Sequence, residues 1–361
     1  MKKPATCIFL KIATAISCST LFMLSGCGSD SSAPHTAVGY AVGINNLLHT
    51  SDGATWQPPN ANGAPTEVGI DSLYNDVSAV DNQCAWTVGS TKLGGKVLRT
   101  LDGGLTWTML APNGDFSPPT MTQGIKAVSR DTAWVVGEIS TVALTTDGGK
   151  SWKQFDNMGI NPDTPALFLA VTALDAKTVW AVGNDRSGNP LGIYTTDGGT
   201  SWKMMDVSAM TTGKALQSVS VVDKNTVWVS QQGPSSGVYV STDGGATFSA
   251  AYPDPGIIGD CFTVIGMSAN AAFAGFENSS FEITFDAGRD WAKQSIDGRL
   301  NATGMTAAGN GIWVVGTYPD GDVQAGDGAI HYSGNGGLTW TKQTPTGTAA
   351  LTSISFVGGR K

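Results

Sequence analysis

Thr145–Trp152 reads TTDGGKSW and Thr195–Trp202 reads TTDGGTSW, two near-identical octapeptides 50 residues apart. The signature recurs as TSDGATW from Thr50, TLDGGLTW from Thr100, STDGGATF from Ser241, TFDAGRDW from Thr284 and SGNGGLTW from Ser333. That makes seven copies at intervals of 43 to 50 residues. In such a box Gly takes the positive-φ positions of a tight turn, and Asp with Ser/Thr bonds the turn's own amides. Repeats of this length are the period of propeller blades.

A second motif precedes each box by roughly a dozen residues: AWTVG at Ala85, AWVVG at Ala133, VWAVG at Val179, VWVSQ at Val227, AFAGF at Ala272 and IWVVG at Ile312, with YAVG at Tyr40 before the first. All 11 Trp residues fall in the two motifs. The upstream one alternates β-branched or aromatic residues with small ones, as in a strand buried on both faces. The closing Trp of each box is expected to pack back over its own hairpin. Each unit then reads as an inner strand such as LQSVSVV from Leu216, the Trp strand, a strand entering the box and a strand leaving it.

The expected fold is an all-β, seven-bladed β-propeller with four-stranded antiparallel blades. The chain ends agree. LTSISFV from Leu351 matches an inner strand with no Trp strand after it, and AVGYAVG from Ala37 begins a blade that lacks an inner strand. One blade is therefore split between the termini, and the C-terminal strand closes the ring and removes its free edges. Residues 37–361 form one domain on this reading. No helix-period segment competes.

The composition suits a globular protein with many turns: 47 Gly, 14% charged residues and 41% hydrophobic. Ahead of the repeats, Lys2, Lys3 and Lys11 flank an apolar stretch ending in small residues, and residues 1–26 read as a secretory signal. Leu24-Ser25-Gly26-Cys27 resembles the lipobox of bacterial lipoproteins. The resemblance implies cleavage before Cys27 and acylation of its thiol. Residues 27–36 are then the lipidated Cys and a flexible tether. With Gly28 and Ser29 following the Cys, the resemblance also implies outer-membrane sorting, on the periplasmic or cell-surface side.

Loss of residues 1–26 leaves 18 basic against 29 acidic side chains, a net charge of −11. Nucleic acid is excluded as a partner on that balance. Attachment to a membrane must come through the acyl chains. Cys84 and Cys261 lie four blades apart, beyond the roughly 7 Å that a disulfide allows between Cα atoms. Both are expected to be buried thiols.

The box resembles the Asp-box, or bacterial neuraminidase repeat, and seven boxes each behind a W-x-V-G strand resemble the photosystem II assembly factor family over roughly residues 37 to 357. That resemblance implies a non-catalytic scaffold that binds membrane-protein assembly intermediates, with an arginine-rich surface patch. Here the mature chain has only Arg99, Arg130, Arg186, Arg289, Arg299 and Arg360, scattered over different blades. For Asp52, Asp102, Asp147, Asp197, Asp243, Asp286 and Asn335 it implies turn-holding roles on the face away from the site.

Asp-boxes also occur in sialidases, so the alternative is a carbohydrate-binding or glycoside-hydrolysing propeller. The Arg-Ile-Pro signature of those enzymes is absent, and only Arg186 and Arg299 fall in the connections where a propeller keeps its site. Asp115, Asp163, Asp185, Asp254, Asp260, Glu277, Asp320, Asp322 and Asp327 do fall there. An acid and its partner carboxylate need a separation of about 5 to 9.5 Å. No nucleophile elbow, phosphate loop or Cys/His metal spacing is present, and TYPDGDVQAGDG from Thr317 does not fit a calcium-loop spacing. The expectation is no catalysis, no cofactor and no metal. It is of a monomer that meets a protein partner in the cell envelope through Phe116, Arg186, Tyr252, Tyr318, Asp320 and Asp322, because aromatic and Arg side chains most often anchor interfaces.

Overall fold

The computed structural model describes residues 37–60, 72–91, 94–110, 121–156, 158–233, 237–252, 260–277, 280–296, 300–318 and 327–361. They form six four-stranded antiparallel sheets and one three-stranded sheet, each laid out in chain order from the axis to the rim except where the termini meet. The inner strands of blades 1 to 6 are Leu73–Ala79, Thr122–Ala127, Leu167–Ala173, Leu216–Val221, Cys261–Gly266 and Asn301–Ala308. Each packs on the next around the axis, and Leu351–Phe356 lies between the sixth and the first. The ring is closed, and no α-helix occurs among the described residues.

The split blade closes it as expected. Leu351–Phe356 pairs with Gly39–Gly43 in the register Gly39↔Phe356 and Ala41↔Ile354, and Gly39–Gly43 pairs with Asn46–Thr50. Phe356 stacks on Trp313 of blade 6 with centroids 3.9 Å apart and meets Trp56 edge-on at 5.8 Å. This blade departs from the four-strand pattern in its outer strand, which shrinks to a single bridge between His49 and Gln57. Pro58 and Pro59 follow at once and have no amide to continue the ladder.

The inner edges would leave unpaired amides around the axis, and small polar side chains meet them. Ser78, Ser220 and Ser355 accept from Ala127, Gly266 and Ala79, each an amide of the following blade, at 3.1 Å. Each inner strand also bulges near its start, as between Tyr74 and Asp76 and between Thr122 and Gly124. The bulged side chains of Asn75, Thr303 and Thr352 donate to the next blade's backbone, at Thr122 O, Leu351 O and Tyr74 O, over 2.6 to 2.8 Å. The bulge frees a side chain to clasp the neighbour.

Seven apolar clusters of described residues fill the ring, one at each junction between blades. The box Trp does not pack over its own hairpin. Trp152 meets Trp86 of the preceding blade edge-on at 6.4 Å, Trp202 meets Trp134 at 6.0 Å, and Trp107 meets Tyr40 at 6.0 Å. An outer strand of two to four residues is too short to bury an indole, whereas the neighbouring blade offers a full sheet face. The two Trp motifs are thus halves of one inter-blade contact. In return, Trp180 Nε1 donates to Gly244 O in the next blade's box at 2.7 Å. A Cβ on Gly245 would lie 2.9 Å from that nitrogen, and its φ of +95° also calls for glycine. Cys84 and Cys261 are free and buried, as expected.

Candidate functional site

The ring has two faces of different construction. On one lie the boxes and the turns joining each inner strand to its Trp strand. On the other, the open face, lie the hairpins between second and third strands and the connections between blades.

The seven boxes share one hydrogen-bond circuit. The first hydroxyl, Thr50, Thr100, Thr145, Thr195, Ser241, Thr284 or Ser333, donates to the Asp or Asn Oδ1 at 2.8 to 3.0 Å. It also accepts a glycine amide further round the turn, as from Gly149 at 2.9 Å. The carboxylate then accepts the amide at the far side, such as Ser151 N to Asp147 at 2.9 Å. Asn335 fills the same place, its Nδ2 donating to Thr339 Oγ1 at 2.8 Å where an Asp would accept. The Ser151 hydroxyl and amide hold Asp147 down to about 2. Partial burial opposes the charge on Asp52, but the Thr55 and Ala54 amides and the Thr55 and Thr50 hydroxyls outweigh it and hold that group at about 2 as well.

A second set of capped turns on this face went unread in the sequence. Asp81, Asp175 and Asp223 each accept the amides two and three residues on, at 2.7 to 3.0 Å, and Ser129 and Ser268 do the same with hydroxyls. An Asp or Ser at one fixed offset after five inner strands was the available signal.

On the open face Arg186 stands exposed at the tip of the hairpin between Val179–Asn184 and Pro190–Thr195. The hairpin is braced. Asp185 accepts from Ser187 N at 2.8 Å and from Asn189 N and Nδ2 at 2.9 Å, and Asn189 Oδ1 accepts from Gly213 N in the next connection at 3.0 Å. Tyr252 is half-buried between blades 4 and 5, donating its hydroxyl to buried Glu282 at 2.8 Å and resting on Phe276 and Trp291. Tyr318 is half-buried too, its hydroxyl 3.2 Å from His331 Nε2 and its ring under Lys342. Asp260 accepts from Gly233 N at 2.8 Å and Gln232 Nε2 at 3.2 Å. Asp163 is exposed. Cys27, Phe116, Asp320 and Asp322 lie outside the described residues, as do Asp115, Asp254 and Arg299.

The described arginines do not converge. Arg99 and Arg130 share an edge of the box face, with Arg130 paired to Asp81 at 2.7 Å, while Arg289 and Arg360 are exposed at other points of that face. At the axis, Asp76 and Lys126 are the only charged residues in the seven inner strands, a pair that sequence reading passed over. Asp76 accepts from Ile125 N, Val77 N, Ser353 Oγ and Lys361 Nζ. Burial, with Lys361 adding to it and Asp76 opposing, pushes the Lys126 amine down to about 8.

A family model, that of the photosynthesis system II assembly factor YCF48, matches residues 59–205 and 115–262. The chain belongs to that family. Two solved YCF48 structures share its fold. YCF48 bound to D1 peptide is 17% identical, with a TM-score of 0.59, over 84% of this chain and 99% of that one. YCF48 from Cyanidioschyzon merolae is 19% identical, with a TM-score of 0.60, over 79% and 90%. The GH74 xyloglucanase of Xanthomonas campestris has the fold at 12% identity and a TM-score of 0.62, over 89% of this chain but only 52% of its own. No curated protein matches the chain.

Proposed function

We propose that the chain is a non-catalytic scaffold, lipid-anchored in the cell envelope, that holds a segment of a partner protein on its open face. Membership of the YCF48 family carries the reading, since a member of the same fold has been captured with a D1 peptide. Arg186 supports it: the hairpin backbone that carries the exposed guanidinium is already locked by Asp185 and Asn189, so binding there has only the side chain left to order. A carboxylate or backbone carbonyl of the partner is the chemistry that such a fork takes up.

Under this reading residues 1–26 are removed on export, Cys27 carries the acyl chains in the outer membrane, and the propeller acts as a monomer. Tyr252 and Tyr318 shape the partner surface from below, with their hydroxyls already engaged. Phe116, Asp320 and Asp322, outside the described residues, are the further candidates for contact with the partner.

A photo-cross-linking side chain at position 186 of the full chain, in its own envelope, should trap one protein, and the same probe at Lys224 on the box face should not. Arg186→Glu, probed from Gln232, should cut the yield several-fold. Equal trapping from both faces would overturn the reading. So would release of sugar from a glycan panel that is lost on Asp320→Asn, Asp322→Asn and Asp327→Asn, which would put a glycoside hydrolase in its place.

A further inference from the structure

The box face carries apolar side chains that the turns do not need. Leu101 and Leu105 of blade 1, Phe285 of blade 5 and Leu338 of blade 6 are 48%, 41%, 65% and 70% exposed. Phe285 and Leu101 occupy the residue before the box Asp, where other boxes have Ser51, Thr146, Thr196 and Thr242. Blades 5, 6, the split blade and blade 1 are consecutive round the ring, so these side chains stand on one arc. The opposite arc, blades 2 to 4, carries Lys150, Lys177 and Lys224 in its turns and boxes, with Leu174 its one strongly exposed large apolar side chain on that face among the described residues.

The chain enters the ring inside the apolar arc. Gly39, at the start of the split blade's second strand, pairs with Thr50, the first residue of a box, and with Phe356, so the residues before it leave from the box face. Nine residues, 28–36, separate Ala37 from Cys27. Fully extended they span about 30 Å, and as a flexible coil about 17 Å. That reach sets the box face against whatever holds Cys27. It is too short to pass round the rim and present the open face.

We infer that the arc of Leu101, Leu105, Phe285 and Leu338 rests on the surface of the bilayer that holds the acylated Cys27, so that the open face looks away from the membrane. The inference rests on the lipid-anchor reading above. Apolar side chains spread over three blades on one flat face can be covered together by an extended plane, and a bilayer surface is one. Asp52, Asp102 and Asp286 on the same arc stand against Arg289 and Arg360, so the contact is carried by the apolar side chains and not by headgroup charge.

The test uses the full lipidated chain on phosphatidylethanolamine–phosphatidylcholine vesicles, with Leu338→Cys or Arg186→Cys carrying a polarity-sensitive fluorophore. Cys84 and Cys261 are buried and stay unlabelled. The expected result is flotation of both, at least two-fold quenching of the 338 label by brominated lipid, and none at 186. Flotation with a 338 label open to aqueous iodide would overturn the docking while leaving the anchor, and would make the arc a surface for a protein. A chain that does not float overturns the anchor and the docking with it.

Discussion

Replacing Asp52 separates a turn-holding carboxylate from one that acts through its charge. Its Oδ1 takes the Thr50 hydroxyl at 2.9 Å and the Ala54 and Thr55 amides at 2.8 and 2.7 Å. Thr50 is buried, so Asp52→Ala leaves its hydroxyl proton without an acceptor, at a cost of about 1 kcal/mol. A pKa near 2 against an ordinary 3.8 would be worth about 2.5 kcal/mol if fully realised, but Ala54 and Thr55 face water, and about 1 kcal/mol is a fair allowance. Asp52→Ala should therefore lose about 1.5–2 kcal/mol. Asp52→Asn should lose under about 1 kcal/mol, because the Asn335 box already makes the circuit with an amide.

The assay is equilibrium urea unfolding followed by fluorescence, with Trp56 closing the same box as local reporter. The folded-state pKa lies below the unfolded one, so the unfolded chain binds more protons between pH 4 and 2. The contribution is present above about pH 4 and is lost as pH falls through about 2. Asp52→Asn should flatten that acid limb. An Asn variant as damaged as the Ala variant at pH 7 would refute the hydrogen-bond account and make the negative charge itself the working part.

Phe356→Ala empties a site between Trp313 and Trp56 and should cost about 3–5 kcal/mol in the same unfolding assay; a loss under about 1 kcal/mol would mean that the split blade does not hold the ring. Ala287 sits at φ 62° where the other boxes have Gly, and Ala287→Gly should raise stability by about 0.5–1 kcal/mol, with a lowered midpoint counting against strain there. Lys96 is buried over the Tyr74 ring with no hydrogen-bond partner among the described residues, and burial pushes its amine down to about 7. The unfolded chain then holds more protons between pH 7 and 10.5, so stability should rise across that window. Lys96→Met should add about 1–3 kcal/mol at pH 7 and remove the rise between pH 7 and 9; a loss of stability at pH 7 would mean that the cation over the ring is worth more than its burial costs.

The blades and their closure were legible because each rests on local pattern: a positive-φ turn, a strand buried on both faces, a half-blade at each terminus. The direction of the box Trp was not. Trp152 and Trp86 are 66 residues apart, and a motif that names both says nothing of which sheet face each one covers. The same distance hid the partners of the loop aromatics. Tyr252 looks like an interface anchor until Glu282, 30 residues on, is seen to take its hydroxyl. The single-bridge outer strand of the split blade had a local cause in Pro58 and Pro59, and could have been read.

The variable length of the repeat points to where binding is free to differ. In blades 1 to 5 the last pair joining inner strand to Trp strand spans six residues each time, Ala79↔Ala85, Ala127↔Ala133, Ala173↔Val179, Val221↔Val227 and Gly266↔Ala272. The Asp and Ser caps set that length, since an inserted residue would carry the cap away from its amides. The box circuit fixes its own length likewise. Repeat spacings from 43 to 50 must therefore be absorbed in connections on the open face, where no cap recurs among the described residues. The box face can change only at positions that the circuit does not use, chiefly the residue before the Asp and the one before the closing Ser/Thr. Phe285, Leu101, Leu105 and Leu338 occupy those two positions. A ring built this way can alter its partner on one face and its supporting surface on the other without disturbing a turn.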